Sequence, residues 1–552
     1  MRARPRFFAA ASLAAFALVA TACGTTASNP QTSTSAAASV ATKEGGAITI
    51  RGCAPQNPLI GSMTGEVCGG NVIDWTSAKL VRYNPDDAKP MMDIAESIKT
   101  DDSQTFTVSI KKGYKFSDGT EVKAKNFVEA WNIAAYGPNG HEGGYFFEAI
   151  EGYDDTQCPA NDKCATKPKT DKLAGLVVKD DYTFTIKTTT PTSNLPVRLG
   201  YSAFVPQPDT YLANPAAEAF GKVPVAAGPY KVTANTATEI VMEKNAAYSG
   251  AYKGKVDKIT YRIYNDPTAA FTDVLANNID FTDVIPADQL ADDAWRKAVG
   301  QDRTSIREAG VIEVLTFSPT DDQLKSNIPL RKAISQAIDR PTITKVIYNG
   351  TRTPATGWVS PVVDGYKADQ CGDSCKYDKA KAKAAYDAAG GYKGTFTLTV
   401  NQDGGHKPWA DAVCNGLKND LGMDCVVQIT PKFADLLNKA KAGELKGAFR
   451  NGWQMDYPSI ENFLTPIYAK GAGSNYSKYD NADFEKKLKD AAAAKDLTEA
   501  NKLYQEAEAF LGRDFPTAPM WYRTQPAAWS NKVTNVKINA FGVLDVTAIS
   551  VK

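Results

Sequence analysis

The chain has 552 residues, of which 43% are hydrophobic and 10% aromatic, and its formal net charge is only +1. This length is too great for one ordinary hydrophobic core, so we expect two or three domains, each burying its own apolar surface. The apolar content excludes a disordered chain, and the balanced charge excludes the clustered basic face of a nucleic-acid-binding protein.

The N-terminal residues have the pattern of an export signal. A basic start and an apolar run over residues 7–20 precede Cys23. The run is shorter than the about 20 apolar residues that a membrane-spanning helix needs, so residues 1–22 are expected to be a signal peptide that is removed. Two kinds of processing compete: Ala20-Thr21-Ala22 fits an ordinary signal peptidase, whereas small residues before Cys23-Gly24 fit lipoprotein processing with a lipid on Cys23.

The cysteine count favours the lipoprotein. Nine cysteines leave one over, and a lipid on Cys23 allows the other eight to pair. A zinc site is the alternative, but an exported chain with only two histidines favours disulfides. Among the possible connectivities we favour pairs of sequence neighbours: Cys53/Cys68, Cys158/Cys164, Cys371/Cys375 and Cys414/Cys425.

The rest of the chain alternates strand and helix patterns. Residues 23–45, rich in Ser, Thr and Ala, are expected to be a flexible tether behind the lipid, because they contain too few large apolar residues to fold. Period-two alternation and 3.6-residue periodicity then predict an α/β protein. The predicted strands are 47–50, 105–110, 182–186, 395–400 and 426–430, and the predicted helices are 124–135, 329–339, 377–389, 409–421 and 480–511.

Four segments carry a resemblance to a known family. They are residues 110–131 with an Asp118-Gly119 turn, residues 227–230, residues 330–340 followed by Pro341, and residues 452–479. In this order and spacing, across about residues 46–530, the chain resembles the family 5 extracytoplasmic solute-binding proteins, the dipeptide- and oligopeptide-binding lipoproteins of ABC importers. Pro341 is interpreted as the stop of the preceding helix.

The resemblance implies a bilobed α/β fold of the periplasmic-binding-protein type, in which two lobes close on a ligand about a hinge. The first lobe would comprise residues 46–80, 200–310 and 520–552. An extra domain characteristic of the family would comprise residues 81–199, and the second lobe residues 311–519.

The resemblance also implies a ligand site. Asp456 matches the aspartate that pairs with the free α-amino group of a peptide, a pair that is costly to break on one side only. The alternative is that Asp456 caps a turn beside Tyr457-Pro458. The family often has Asp-Tyr-x-Asp/Glu-Pro where this chain has residues 456–460 as Asp-Tyr-Pro-Ser-Ile, so the local turn is expected to differ.

Further positions are expected to contact the ligand. Gly452 and Trp453 would lie on an exposed strand edge that adds main-chain hydrogen bonds to an extended peptide. Arg450 and His406 match cations that hold the ligand carboxylate; the alternatives are a surface salt bridge for Arg450 and a solvated loop position for His406. The facing ligand loop would be pinned by Cys53/Cys68 and comprises Met63, Thr64, Gly65, Glu66 and Val67.

The sequence therefore predicts an extracytoplasmic, lipid-anchored monomer that captures short peptides and delivers them to an ABC permease, with no cofactor, metal or nucleic acid. An enzyme is disfavoured, because only His141 and His406 could act as imidazole bases and neither a Gly-x-Ser-x-Gly nor a His-Glu-x-x-His motif occurs. A structural or adhesive lipoprotein is a further class. An oligosaccharide or other solute is the alternative ligand, and core packing explains the candidate sugar platforms equally well: Trp75, Trp358, Trp409, Trp453 and Trp521.

Overall fold

The structure is a computed structural model that describes residues 44–552, except 56, 65–66, 160–163, 217, 265–266, 402–404, 432 and 473. The expected signal peptide, the lipid site at Cys23 and nearly all of the tether lie outside the described residues, as do Gly65 and Glu66. Within the described part, every helix is too short or too polar to cross a membrane.

Helices and strands alternate along the chain. The α-helices of the described part are α1 Val67–Thr76, α2 Ala124–Ala135, α3 Leu195–Arg198, α4 Asp209–Ala213, α5 Glu218–Lys222, α6 Pro267–Leu275, α7 Ala287–Leu290, α8 Ala294–Val299, α9 Ile328–Gln336, α10 Arg340–Val346, α11 Lys379–Ala388, α12 Lys407–Leu421, α13 Phe433–Ala442, α14 Thr465–Tyr468, α15 Ala482–Ala492 and α16 Leu497–Asp514.

The strands are β1 Ala47–Gly52, β2 Val81–Tyr83, β3 Pro90–Met92, β4 Ala95–Lys99, β5 Thr105–Ile110, β6 Leu176–Asp180, β7 Thr183–Lys187, β8 Tyr230–Asn235, β9 Glu239–Lys244, β10 Lys258–Ile263, β11 Phe281–Thr282, β12 Thr304–Phe317, β13 Arg352–Pro354, β14 Phe396–Asn401, β15 Cys425–Thr430, β16 Ala448–Gln454, β17 Thr517–Trp529, β18 Val533–Thr534 and β19 Ser550–Val551. The largest sheet has the order β15-β14-β16-β12-β17-β11-β1-β10-β9-β8, with β13 also paired to β17.

Three main hydrophobic cores divide the described chain. The first core, which defines what we call the second lobe, packs helices α9 to α12 and α14 to α16 against β12, β14, β16 and β17. The extra domain is built around the β4-β5-β7-β6 sheet and α2, whose buried Phe127 and Trp131 pack on Phe184 with ring centroids 5.8 and 5.6 Å away. The first lobe packs β1 and β8 to β11 against the C-terminal segment. The structure thus has a bilobed α/β fold with an additional domain.

Two long antiparallel strands, β12 and β17, connect the lobes. The first half of β12 pairs only with β17, and β17 in turn pairs with β11 of the first lobe, whereas β12 pairs with β16 of the second lobe only from Val311 onward. A register shift between Glu308 and Ile312 separates the two halves. Gly310 lies in this shift, and a Cβ there would collide with Met455 Sδ, so the glycine allows the Met455 side chain to pack closely against the bulge. Its carbonyl accepts a hydrogen bond from Met455 N at 2.8 Å, which joins the bulge in β12 to the residue that follows β16.

Two expectations about helix ends were wrong. Pro341 does not stop a helix; it occupies the first turn of α10, where no N–H is needed, and the Asp339 side chain caps that helix by accepting from Thr342 N at 3.0 Å. The pattern over residues 480–511 is two helices, α15 and α16, because the Asp496 side chain accepts from Glu499 N at 2.9 Å and starts a new helix.

The described cysteines form four disulfides between sequence neighbours. Their Cα atoms lie 4.9 to 5.7 Å apart, within the usual range. Cys53–Cys68 joins the end of β1 to the start of α1 and closes the loop that was expected to face the ligand. The pairs are Cys53–Cys68, Cys158–Cys164, Cys371–Cys375 and Cys414–Cys425.

Candidate ligand-binding site

A cavity of about 450 Å³ lies between the lobes and the extra domain. Its volume falls within the about 300–1,000 Å³ that is usual for ligand sites. It is lined by Thr64, Val67, Gly70, Asn71, Asp74, Lys79, Tyr83, Tyr145, Gly200, Tyr201, Ser202, Trp453, Gln454, Met455, Asp456, Ser474, Phe541 and Val543.

The cavity brings together four of the residues expected from the sequence. Thr64 and Val67 enter from the first lobe, and Trp453 and Asp456 enter from the second. Thr64 is fixed because its hydroxyl donates to Pro58 O at 2.7 Å. The neighbouring position Met63 instead lines a different cavity of about 630 Å³.

Asp456 is held by Asn462, a residue that the sequence singled out only as part of a motif. Asn462 Nδ2 donates to Asp456 Oδ2 at 3.1 Å, and Asn462 Oδ1 accepts from Asp456 N at 2.9 Å and from Trp453 Nε1 at 3.0 Å. One buried amide therefore orients both Asp456 and Trp453. Among the described residues no backbone N–H donates to the Asp456 carboxylate, so its side chain does not cap a turn.

Burial dominates the electrostatics of Asp456. It raises the pKa of this carboxyl to about 6, against the Asn462 hydrogen bond, which favours the ionised form. No cation forms a salt bridge with Asp456 in the described part of the chain. Within the described residues, the site therefore presents to the cavity a carboxylate that forms no salt bridge.

Aromatic side chains form much of the remaining wall, and sequence reasoning missed most of them. Tyr83 and Phe541 lie with ring centroids 5.3 Å apart, and the Tyr83 hydroxyl donates to Val197 O at 2.8 Å. Tyr145 and Tyr201 complete the wall from the side of the extra domain. These residues are far apart in the chain and lie in no recognisable motif, so only the folded structure assembles them.

The cavity wall also contains an ion pair, Asp74 with Lys79. Desolvation opposes ionisation of Asp74, but the charges of Lys79 and Arg82 outweigh it and lower the pKa of Asp74. This pair is close to neutral in sum, so Asp456 is the carboxylate that remains available to a cationic ligand group.

Arg450 and His406 do not line this cavity; they meet at a buried carboxylate, Glu313 on β12. Arg450 Nε and Nη2 each lie 3.2 Å from Glu313 Oε1, and His406 Nδ1 lies 3.4 Å from the same oxygen. The indole of Trp409 donates to His406 Nδ1 at 3.0 Å, and His406 is only 7% exposed, so it is not a solvated loop residue. Gly452 pairs with Glu313 across the two strands and also lies outside the cavity lining.

The Glu313 cluster contains more positive than negative charge. Arg450 and Arg352 both act on the one carboxylate of Glu313, and Arg523 is the direct cross-strand neighbour of Arg352 on β17, so it adds a further positive charge beside the cluster. Burial opposes ionisation of Glu313, but Arg450, His406 and Arg352 outweigh it and hold the pKa of Glu313 at about 2. Burial and the like charge of Arg523 lower the pKa of Arg352 to about 10.

Most candidate sugar platforms are core residues. Trp358, Trp409 and Trp521 are at most 1% exposed, and Trp75 borders a separate cavity of only about 50 Å³. Trp453 alone among the five borders the main cavity. The described residues contain no group of three or more His, Cys, Asp or Glu placed to hold a metal ion.

Two lobes are joined by the paired strands β12 and β17, and a partly polar cavity lies between them. This is the architecture of a solute-binding protein that closes on its ligand. Residues 89–475 match the family described as bacterial extracellular solute-binding proteins, family 5 Middle. The chain belongs to this family.

Relatives and solved structures agree with this assignment. The chain is 25% identical to the oligopeptide-binding protein OppA of Bacillus subtilis over 82% of this chain and 83% of OppA, and 26% identical to the dipeptide-binding protein DppE of the same organism over 81% of each chain. The structure of the Escherichia coli murein tripeptide binding protein MppA superposes with a TM-score of 0.75 at 20% identity, covering 92% of this chain and 99% of MppA. Haemophilus influenzae OppA in complex with the peptide RPPGFSPFR gives a TM-score of 0.73 at 21% identity, covering 93% and 100%.

Proposed function

We propose that this protein captures short peptides between its lobes and that Asp456 pairs with the ligand's free α-amino group. One observation carries the proposal: a carboxylate that is withdrawn from bulk water faces the cavity without a cationic partner among the described residues. A desolvated carboxylate of this kind needs a cation with which to pair. The peptides bound by the family relatives carry such a cation at the N-terminus.

The edge of β16 supports an extended ligand backbone. β14 pairs with β16 only at Ala448 and Phe449, so in the described ladder the stretch from Arg450 to Gln454 has a β-partner on one side only, β12. An extended peptide could add main-chain hydrogen bonds along this open side, which gives affinity with little dependence on side chains. Trp453 and Gln454 then connect this edge to the cavity.

The ligand's carboxylate end is proposed to bind at the Glu313 cluster, through Arg450 and His406 and the neighbouring arginines. The surplus of guanidinium groups over carboxylates favours an anionic group there. Glu313 competes with the ligand for Arg450, since the two already form a salt bridge. A ligand carboxylate would therefore add to the cluster beside Glu313, near the β13–β17 pairing in which Arg352 and Arg523 are direct neighbours.

An oligosaccharide is the second candidate ligand. The aromatic wall of Tyr201, Phe541 and Trp453 could stack sugar rings. A neutral sugar would leave the Asp456 carboxylate buried and without a counter-charge, so the peptide is favoured. In either case the protein binds its ligand without chemical conversion.

Delivery to an ABC permease from the outer face of the cell membrane, with a lipid on Cys23 as the only anchor, completes the proposal. Replacing Cys23 with Ser is expected to move the protein from the membrane fraction to the soluble fraction, because its sole attachment is lost. Fractionation of cells expressing each form, followed by immunoblotting, measures this. A Cys23→Ser protein that remained with the membranes would contradict the lipid anchor.

Peptide affinity is expected to fall as the pH is lowered below about 6. Burial raises the pKa of Asp456 to about 6, so below that pH the unliganded protein holds a neutral carboxyl that cannot pair with an ammonium. Each pH unit below the pKa should weaken binding by about tenfold until the carboxyl of the complex itself becomes protonated. Calorimetric titration between pH 4.5 and 7.5 measures the profile, and Asp456→Asn should make it flat. A flat profile for the wild type would contradict the role of Asp456.

Mass spectrometry of the ligand released from protein purified without refolding tests the proposed function directly. Short peptides with free N-termini are the expected result. Saccharides in place of peptides would support the second candidate and overturn the first.

A further inference from the structure

A polar contact beside the cavity joins the second lobe to the extra domain. Glu461 Oε2 accepts hydrogen bonds from the Tyr457 hydroxyl at 2.6 Å and from Asn194 Nδ2 at 2.8 Å. Asn194 precedes α3 of the extra domain, whereas Tyr457 and Glu461 follow Asp456 in the second lobe. Glu461 is 6% exposed and Asn194 is 2% exposed, so the contact is sealed from water.

Apolar packing reinforces this contact. Tyr457 is 3% exposed and belongs to the hydrophobic core of the extra domain, although it comes from the second lobe. The Arg198 guanidinium lies 5.7 Å from the centre of its ring. Ser193 N also donates to Ala492 O of α15 at 2.8 Å. We call Asn194, Arg198, Tyr457 and Glu461 the latch.

The charges at the latch do not balance without a ligand. Two carboxylates, Asp456 and Glu461, lie within electrostatic range of one guanidinium, Arg198, whose Nε is buried and has no hydrogen-bond partner. Burial has the largest effect on the pKa of Asp456. Beyond burial and the Asn462 hydrogen bond, the charge of Glu461 raises this pKa and the charge of Arg198 lowers it, so the three charged groups are coupled. Glu148 also lies within electrostatic range of Arg198; burial raises the pKa of its carboxyl and Arg198 lowers it, so when ionised it adds to the negative charge beside Arg198. Closing the latch thus buries an excess negative charge, which is unfavourable.

We propose that the latch makes closure of the second lobe onto the extra domain depend on a cationic group at Asp456, with Arg198 and Glu461 acting as positioning residues. Neither residue lines the cavity, so both act through Asp456 and through the contact between domains. An α-ammonium at Asp456 adds a second positive charge beside that of Arg198, which reduces the excess of negative charge in the sealed region and favours the closed state. The inference rests on the proposed function and deepens it, because it states how the positive charge of the ligand shifts the equilibrium from the open to the closed state.

Two charge variants are expected to change the protein in opposite directions. Glu461→Gln keeps an oxygen where Tyr457 and Asn194 both donate, but removes the excess charge. The unliganded protein should then close more, and its preference for a free peptide over the N-acetylated form should fall by about fivefold or more. Arg198→Met leaves two carboxylates unopposed, so the unliganded protein should open and the preference should rise by a similar factor.

Solution scattering of the unliganded proteins gives the radius of gyration, and calorimetry with a tetrapeptide and its N-acetyl form gives the preference. Glu499→Gln is the matched control, because it removes one exposed carboxylate outside the cavity lining and should change neither quantity. If Arg198→Met fails to fold, Asn194→Asp adds a carboxylate at the same contact and should raise the preference in the same way.

The failures are distinguishable. If the wild type discriminates between the two peptides but both variants shift the preference in the same direction, the latch alone is overturned. A merely structural role of the two residues would weaken binding in both variants. A wild type that binds the two peptides equally would overturn the proposed function and the latch together. Opposite shifts with an unchanged control support the latch.

Discussion

Replacing Asp456 with Ala is expected to weaken binding of a short peptide by about 2 to 5 kcal/mol, or roughly 30- to 4,000-fold. The reason is that the ligand's ammonium would stay in a desolvated site without its carboxylate, while the Asn462 amide would lose the acceptor of its Nδ2 hydrogen bond. Asp456→Asn preserves the shape and removes the charge, so the difference between the two variants separates electrostatics from packing. Isothermal calorimetry at pH 7.5 measures the peptide affinity of the wild type, Asp456→Ala and Asp456→Asn.

A ligand modification supplies the control for this result. Acetylating the peptide's N-terminus removes the other half of the same pair, so the variant and the modification together should cost less than the sum of their separate effects. Asp322→Ala, an exposed carboxylate outside the cavity lining, should bind like the wild type. Additive effects of Asp456→Ala and acetylation would mean that Asp456 and the ligand's amine do not interact.

Replacing Glu313 with Gln is expected to lower the free energy of unfolding by about 3 to 5 kcal/mol, because one partner of a buried ion pair is removed. Glu313 is 6% exposed, and its loss leaves Arg450 and Arg352 without their shared carboxylate. Chemical denaturation followed by tryptophan fluorescence measures the change. Glu308→Gln, an exposed position on the same strand, should change stability by only about 0.5 kcal/mol.

The same pair has a defined pH dependence. The pKa of Glu313 is held at about 2, below its ordinary value of about 4.5. A depressed pKa contributes stability that is present above the ordinary value and is lost as the pH falls through about 2. The difference in stability between wild type and Glu313→Gln should therefore shrink as the pH falls below about 4. A difference that grew on acidification would contradict the ion pair.

The sequence predicted the fold because its motifs report local structure. The turn at Asp118-Gly119 and the helix Ala124–Ala135 follow from backbone and periodicity requirements that do not depend on distant residues. Parity and the export signal indicated that eight cysteines form disulfides, and the choice of sequence neighbours among the possible pairings is confirmed by the structure. The continuous helix expected over residues 480–511 failed because periodicity alone does not register a capping aspartate such as Asp496.

The candidate site was only partly predictable. Asp456 and Trp453 sit in a recognisable segment, but Tyr83 and Phe541 come from opposite ends of the chain and meet only in the fold. The position of Arg450 beside Glu313 depends on the pairing register of β12 with β16, which no local pattern specifies. Matching Arg450 to a family motif therefore located it in the chain, but did not reveal that it already forms a salt bridge with Glu313.

Calorimetric titration of the wild-type protein with a free short peptide, its N-acetylated form and an oligosaccharide of similar size tests whether Asp456 pairs with a peptide's α-amino group. We expect that the free peptide binds, that acetylation weakens binding by about tenfold or more through loss of a desolvated ion pair, and that the oligosaccharide does not bind. Equal affinity for the free and acetylated peptides, or binding of the oligosaccharide alone, would contradict this expectation.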